Sequence, residues 1–214
     1  EHGFHRTQMD DIAERLGESK GTIYRAVDSK EALFAAVVQA GDDHDSLATT
    51  GLHTTAERAP DLAAVAADVT DELTVAVAAL ELTTIVAARG TLRSADRFTD
   101  EVERVTLGLF RLMQRRRTAV MVLDRCAGEI PELANVWFGD GRYALVDLWA
   151  AYFELRSRYV TPDVDRAILA RTVVEVITTW AVKMPWDPAP RPYPDDTAAA
   201  CAVMVRHILA GPAQ

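Results

Sequence analysis

The chain has little of several residue types on which common functional sites depend. Its 214 residues include two cysteines, Cys126 and Cys201, which fit neither a CxxC pair nor a metal-ligand spacing. The five histidines are scattered and form no His-Glu-x-x-His motif. No apolar run reaches the roughly 18 residues needed to cross a membrane. We therefore expect two buried free thiols in a cytoplasmic protein that has no metal, no cofactor and no membrane partner.

The charge balance gives no support for binding to nucleic acid. The net charge is −9, and residues 1–40 hold five Lys or Arg against seven Asp or Glu. A run of three arginines at residues 115–117 favours a solvated turn or pairing with acids over a DNA site. Any contact with DNA must depend on a few cations that converge on one face, and two of the three lysines, Lys20 and Lys30, lie in one short motif.

That motif, residues 7–34, contains two short amphipathic segments that meet at a glycine. Thr7 is predicted to cap a helix over residues 8–16, with Asp10 in the capping-box position. Gly17 stands where a left-handed residue is expected to end the helix. Apolar residues at helical spacing form one face of this first segment: Met9, Ile12, Ala13 and Leu16. The pattern is typical of a helix-turn-helix.

The second segment is predicted to begin at the N-cap Ser19 and to turn Ile23 and Val27 toward the core. Its other face carries donors, a small residue and an aromatic ring, which suit a groove edge and nearby phosphates: Lys20, Gly21, Thr22, Tyr24 and Arg25. Ser29 is predicted to cap the next helix, which places Lys30 in its first turn. A phosphate contact is favoured for Lys30 over a solvated amine.

This stretch closely resembles the DNA-binding domain of the TetR family of transcriptional regulators. The residues that carry the resemblance are Asp11-Ile12-Ala13, Leu16-Gly17, Ser19-Lys20-Gly21-Thr22-Ile23-Tyr24-Arg25 and Ser29-Lys30-Glu31-Ala32-Leu33, with Gly3-Phe4 and Thr7 before them. The resemblance implies backbone contacts from Thr22, Tyr24 and Lys30, and base-edge or phosphate contacts from Lys20, Gly21 and Arg25. Thr7, Gln8 and Ser19 complete the predicted DNA-binding set. Ala26 departs from the family pattern and removes one phosphate anchor.

The whole chain is predicted to be all-α. Residues 1–42 form the helix-turn-helix domain, with its first helix apparently truncated, and residues 43–214 form a larger helical domain for effector binding and dimerisation. Helices are expected over residues 30–47, 61–89, 94–114, 118–126, 142–159, 161–183 and 195–209.

Two sets of residues in the larger domain are singled out, and for both the alternative is plain intramolecular core. Apolar stripes near the C-terminus suit a homodimer: Leu169, Val173, Val176, Ile177, Trp180, Val203, Met204 and Ile208. Middle helices supply side chains for a small-molecule pocket, namely Phe110, Met113, Met121, Trp149, Tyr152 and Phe153. Polar candidates inside the same region are Thr83, Thr84, Thr106, Gln114 and Glu154.

The sequence thus predicts a repressor that releases a near-palindromic double-stranded operator when a small, largely apolar effector binds. A helical small-molecule-binding dimer without a DNA role is the alternative. An enzyme is disfavoured, because no nucleophile–base pair, metal set or phosphate loop is found.

Overall fold

The computed structural model describes residues 3–40, 61–187 and 196–210. These residues are helical and contain no strand, so the all-α prediction is confirmed for them. The helices are α1 Gly3–Arg6, α2 Met9–Leu16, α3 Lys20–Ala26, α4 Lys30–Ala40, α5 Leu62–Ala78, α6 Glu81–Ala88, α7 Ala95–Arg115, α8 Arg117–Cys126, α9 Pro131–Ala134, α10 Gly141–Leu155, α11 Arg166–Thr178 and α12 Thr197–Ala210. Short 3₁₀ and π turns extend α8, α9 and α11.

The chain divides into two compact units. The first unit holds Glu1–Glu72 and Arg115–Gly141, and the second holds Leu73–Gln114 and Arg142–Gln214. The predicted domain boundary at residue 42 lies outside the described residues.

In the first unit, α1 is fixed to the turn that follows α8. The backbone N–H of His5 donates to Glu129 Oε2 at 2.7 Å. The Phe4 ring meets Phe34 of α4 edge to face, with 5.3 Å between the ring centroids. Such aromatic pairs add to the stabilisation that burial of the rings provides.

Arg116 of the arginine run also stabilises the first unit. It donates to Gln39 O near the end of α4 and to Glu72 Oε2 of α5, both at 2.7 Å. A cation at the C-terminal end of a helix compensates its unpaired carbonyls. The preference for acid pairing over a DNA site is therefore confirmed for Arg116.

Some of the predicted helix limits are wrong. Residues 61–89 form two helices instead of one, because Leu80 is extended (φ −68°, ψ 138°) with its side chain buried. The predicted helix from residue 161 begins at Arg166 instead. Asp165 caps it by accepting from the backbone N–H groups of Ala167 and Ile168.

Both cysteines are free and buried, as predicted, with one in each unit. Burial raises the pKa of the Cys126 thiol, and it raises the pKa of Cys201 to about 11. Both thiols are therefore protonated, unreactive groups at neutral pH.

Candidate functional site

The segment of α2, turn and α3 has the predicted geometry, except that α2 begins one residue later than predicted. Gln8, not Thr7, is the N-cap of α2, and its N–H donates to Asp11 Oδ2 at 2.8 Å. Thr7 instead donates its hydroxyl to Gly3 O at 2.7 Å, within the preceding turn. Gly17 is left-handed (φ 69°), as expected for a residue that ends a helix.

α3 begins as predicted and buries none of its residues. Ser19 Oγ accepts from the N–H of Thr22 at 3.1 Å and caps the helix. The residue that anchors its far end is Val27, which is only 2 % exposed. Lys20, Gly21, Tyr24 and Arg25 are all exposed, so the polar face of α3 points away from the first unit.

The side chains on this face form hydrogen bonds with one another and with Asp10 of α2. Lys20 Nζ donates to Asp10 Oδ2 at 2.9 Å, and this hydrogen bond raises the pKa of the lysine. Arg25 donates to the Thr22 hydroxyl at 3.2 Å, and that hydroxyl also meets Ser19 Oγ at 2.9 Å. The pairs are exposed to solvent, where such contacts contribute little and are easily exchanged for a phosphate.

Gly21 lies in this face without a structural reason for being glycine. A Cβ atom added there would approach only Ser19 Oγ, at 3.8 Å, which is an ordinary contact. Glycine in a helix is less favourable than alanine by roughly 0.5–1 kcal/mol. A residue without a side chain leaves the backbone of α3 open to close approach from outside.

Lys30 makes contacts within the first unit that neither of the predicted alternatives included. Its amine donates to Phe4 O at 2.9 Å and to Thr7 O at 3.3 Å, and it lies 4.4 Å from the centroid of the Phe4 ring. The solvated alternative is therefore wrong, since the amine caps the C-terminal end of α1. The phosphate contact stays a prediction, which requires the third N–H of the ammonium group.

Residues 1–37 match the family model described as bacterial regulatory proteins, tetR family. This is the segment that holds the capped α2, the exposed α3 and the start of α4. The match places this N-terminal segment in the TetR family. The segment is accordingly the helix-turn-helix of a DNA-binding transcription regulator. No curated protein and no solved structure matches the chain significantly.

In the second unit, the structure brings three of the predicted pocket residues together. Trp149, Tyr152 and Phe153 are fully buried on α10, with 5.6–5.9 Å between their ring centroids. Phe110 of α7 is buried, and the Met113 sulfur lies 3.3 Å from the Thr178 hydroxyl oxygen.

Met121 belongs to α8 in the first unit, and its predicted place in the pocket stays a prediction. Of the polar candidates, Thr106 is buried and Thr83 is half-buried. The other three are exposed, which makes their interior placement wrong: Thr84, Gln114 and Glu154.

A buried ion pair that was not predicted from the sequence lies beside the aromatic cluster. Arg156 donates from Nε to Glu101 Oε1 at 2.7 Å and from Nη2 to Glu101 Oε2 at 3.1 Å. The two residues are 4 % and 6 % exposed. The available signal was the position of Glu101, which follows Phe98 and precedes Val102 on the apolar stripe of α7.

Three buried polar atoms in the same unit have no hydrogen-bond partner among the described residues: Thr106 Oγ1, Trp149 Nε1 and Tyr152 Oη. Burial raises the pKa of the Tyr152 phenol, and the nearby Glu101 carboxylate raises it further. The phenol thus lies close to the ion pair without meeting either partner in hydrogen-bond geometry. Most buried polar atoms in proteins are paired, so each exception requires an explanation.

The predicted dimer residues fall into two groups. Leu169, Val173 and Ile177 are at most 3 % exposed within their own chain, so their assignment to a dimer surface is wrong. They pack in the core of the second unit instead. The remaining predicted residues are half-buried or exposed on α11, the turn after it and α12: Val176, Trp180, Val203, Met204 and Ile208.

An open groove of about 350 Å³ runs along α11 and is lined by Arg171, Thr172, Glu175, Val176, Thr179 and Trp180. Glu175 accepts from Arg142 at 2.5 Å and from Arg171 at 2.9 Å. Burial opposes ionisation of this carboxyl, but the arginines outweigh it and hold its pKa below the ordinary value.

Residues 3–40, 61–187 and 196–210 contain no group of three or more His, Cys, Asp or Glu side chains that could hold a metal ion. None of their helices combines the length and the apolar character that crossing a membrane requires.

Proposed function

We propose that the protein is a ligand-responsive repressor, which binds a near-palindromic operator as a homodimer and releases it when a small molecule enters the second unit. The observation that carries this proposal is the outward polar face of α3, a helix with no buried residue. Its inner side is only half-buried, at Ile23 and Ala26, and the exposed donors of its outer side suit a major groove.

For DNA recognition, we assign base-edge contacts to Arg25 and Gly21 and backbone contacts to Tyr24 and Thr22. Lys20 reaches a phosphate after exchanging its partner Asp10, which lies 2.9 Å away in the free protein. Because the overall charge is −9, the few cations of α3 supply most of the attraction to DNA.

For effector binding, the aromatic cluster of Trp149, Tyr152 and Phe153 offers an apolar site with a few polar groups. Phe110 and Met113 of α7 are proposed to complete it. A ligand that binds one conformation better than the other shifts the population toward it. The effector and the operator must then weaken each other's binding by the same factor.

For dimerisation, the exposed apolar side chains near the C-terminus supply the proposed surface. Ile168 is 63 % exposed on α11, and Val203 and Met204 of α12 are 38 % and 37 % exposed. Together with Val176, Trp180 and Ile208 they form the kind of apolar surface that marks a protein interface. The partner helices of two copies could pair as a four-helix bundle.

The test is binding of the purified protein to the DNA upstream of its own coding region, measured by fluorescence anisotropy and by the mass of the complex. We expect two protomers on each site, with half-sites about 34–36 Å apart. A promoter reporter should rise when the protein is deleted. Binding of one protomer, or a reporter that falls on deletion, would contradict the proposed dimeric repressor.

Arg25→Ala tests the assignment of base contacts within this proposal. The variant should change which operator bases are preferred, because a bidentate arginine contact discriminates against a wrong base by about 1–3 kcal/mol. A selection from randomised operators measures the preference. Uniform loss of affinity across all sequences would make Arg25 a backbone contact.

A further inference from the structure

The two longest helices around the aromatic cluster run antiparallel in a defined register. Phe98 stacks on Tyr159, with 5.4 Å between the ring centroids, and Glu101 pairs with Arg156. Each step forward on α7 therefore corresponds to one step backward along α10 and the turn after it. This register places Thr106 near the level of Tyr152 and Gly108 at the level of Trp149.

Gly108 leaves room at that level. It is half-buried, and a Cβ atom added to it would meet no described atom within 4 Å. It lies seven residues after Glu101, which is about two helical turns, so it shares the face of α7 that Glu101 turns toward α10. The open space thus faces the helix that carries Trp149.

A polar atom without a partner lies at the level of this space. The Trp149 indole N–H is fully buried and donates to no described group. Indole nitrogen can only donate, so its missing partner must be a hydrogen-bond acceptor. The Thr106 hydroxyl is equally buried and has no described partner, but it lies on another face of α7.

The two charged side chains nearest to this space, Glu101 and Arg156, already pair with each other. Glu101 and Arg156 satisfy each other through two hydrogen bonds, and Arg156 also donates to Gly90 O at 2.5 Å. A charged ligand would therefore enter a buried region without an unpaired counter-charge, which is costly. The surroundings favour a neutral molecule.

We propose that the space between Gly108 and Trp149 takes a neutral, mostly apolar molecule that carries a hydrogen-bond acceptor such as a carbonyl, and that the Trp149 N–H recognises this acceptor. The inference rests on the proposed function, since it names the chemical class of the effector. A purely hydrocarbon ligand would leave the indole N–H unpaired.

The direct test compares two probes of nearly equal shape. 2-Acetylnaphthalene has a carbonyl oxygen where 2-isopropylnaphthalene has a methyl group, and acetophenone and cumene form a smaller pair of the same kind. Binding to the full chain is measured by titration calorimetry. One hydrogen bond to a buried donor predicts that at least one ketone binds about tenfold more tightly than its hydrocarbon.

Variants locate the contact. Trp149→Phe should reduce the preference for the ketone to less than about twofold while the hydrocarbon still binds. Trp186→Phe is the matched control, because Trp186 is 53 % exposed, and it should keep the full preference. Gly108→Leu should abolish binding of both probes by filling the space. A ketone that binds no better than its hydrocarbon, or no binding by either pair, would overturn the proposal, as would a preference that survives Trp149→Phe.

Release of operator DNA, measured with the same probes, separates this inference from the proposed function. A ketone that binds through Trp149 without releasing DNA would leave the site standing and contradict the regulatory role. Release by ketone and hydrocarbon alike would support the regulatory role and overturn recognition of an acceptor.

A stability measurement on the ligand-free protein tests the unpaired groups independently. Thr106→Val removes a buried hydroxyl that has no partner, so the melting temperature should rise by roughly 2–4 °C. Thr178→Val is the control, because the Thr178 hydroxyl donates to Val174 O at 2.8 Å, and its melting temperature should not rise. A decrease for Thr106→Val as large as that of the control would show that the hydroxyl is satisfied in the free protein.

Discussion

The two units carry their functional groups in opposite surroundings. In the first unit, the polar face of α3 is exposed, and its side chains make short-range contacts such as Lys20 with Asp10. In the second unit, the polar groups of interest are buried, and Thr106 and Trp149 have no hydrogen-bond partner for their side chains within the described part of the chain. A surface site can be built from a few local residues, whereas a buried site depends on helices that are distant in the sequence.

Both units nevertheless contain a residue that the fold itself does not require. Gly21 lies in a helix where a Cβ would fit, and Thr106 keeps a hydroxyl where a methyl group would fit. Each residue is less favourable for stability than its alternative. Gly21 lies where DNA is proposed to bind, and Thr106 lies in the unit that is proposed to bind the effector. Such locally unfavourable residues are candidates for a functional role in both settings.

The largest expected effect concerns the buried ion pair of the second unit. Glu101→Gln leaves Arg156 buried without its counter-charge, which should lower the free energy of unfolding by about 3–5 kcal/mol. The control is Glu81→Gln, which removes an exposed partner of Arg104 and should change stability by less than about 1 kcal/mol. Urea denaturation measures both. Equal, small effects would show that the pair is not desolvated.

The two lysines of the motif provide the next test, within the first unit. Lys30→Met should lower stability by about 1–2 kcal/mol, because the amine makes charged hydrogen bonds to Phe4 O and Thr7 O. Lys20→Met should leave stability unchanged, since its amine is exposed. Thermal unfolding at constant salt distinguishes them. If Lys20→Met were as destabilising as Lys30→Met, the assignment of a structural role to Lys30 alone would be wrong.

The smallest change in stability is expected at Gly21. Gly21→Ala should stabilise the protein by about 0.5 kcal/mol, because alanine favours a helix, and it should weaken operator binding several-fold. Glu18→Ala, an exposed position just before α3, serves as a control for the substitution itself. Unchanged affinity for the operator would show that DNA does not approach the backbone at Gly21.

The parts of the structure that were predicted from sequence are those coded by neighbouring residues. Gly17 ends α2 and Ser19 caps α3 as expected, because a cap involves only the next three residues. The cap at Thr7 was misplaced by one position, because Gln8 and Asp11 offer nearly the same pattern. Local sequence signals thus predict the presence of a helix more reliably than they predict its first residue.

The parts that were not predicted depend on contacts between distant residues. Lys30 and Phe4 are 26 residues apart, and Glu101 and Arg156 are 55 apart. Helical spacing put Leu16 on the same apolar face as the buried Met9, yet Leu16 is 62 % exposed, because periodicity identifies an apolar face without showing what covers it. The same limit explains why Leu169, Val173 and Ile177 were assigned to a dimer surface although they fill the protomer core.

The salt dependence of operator affinity for Lys20→Met tests most directly whether α3 is the surface that meets DNA. Lys183→Met, a lysine of the second unit that lies 3.9 Å from Glu175, is the matched control. We expect Lys20→Met to reduce the slope of log K against log salt by about one, since one phosphate contact is lost. Lys183→Met should leave the slope unchanged. Equal slopes for the wild type and both variants would contradict the account.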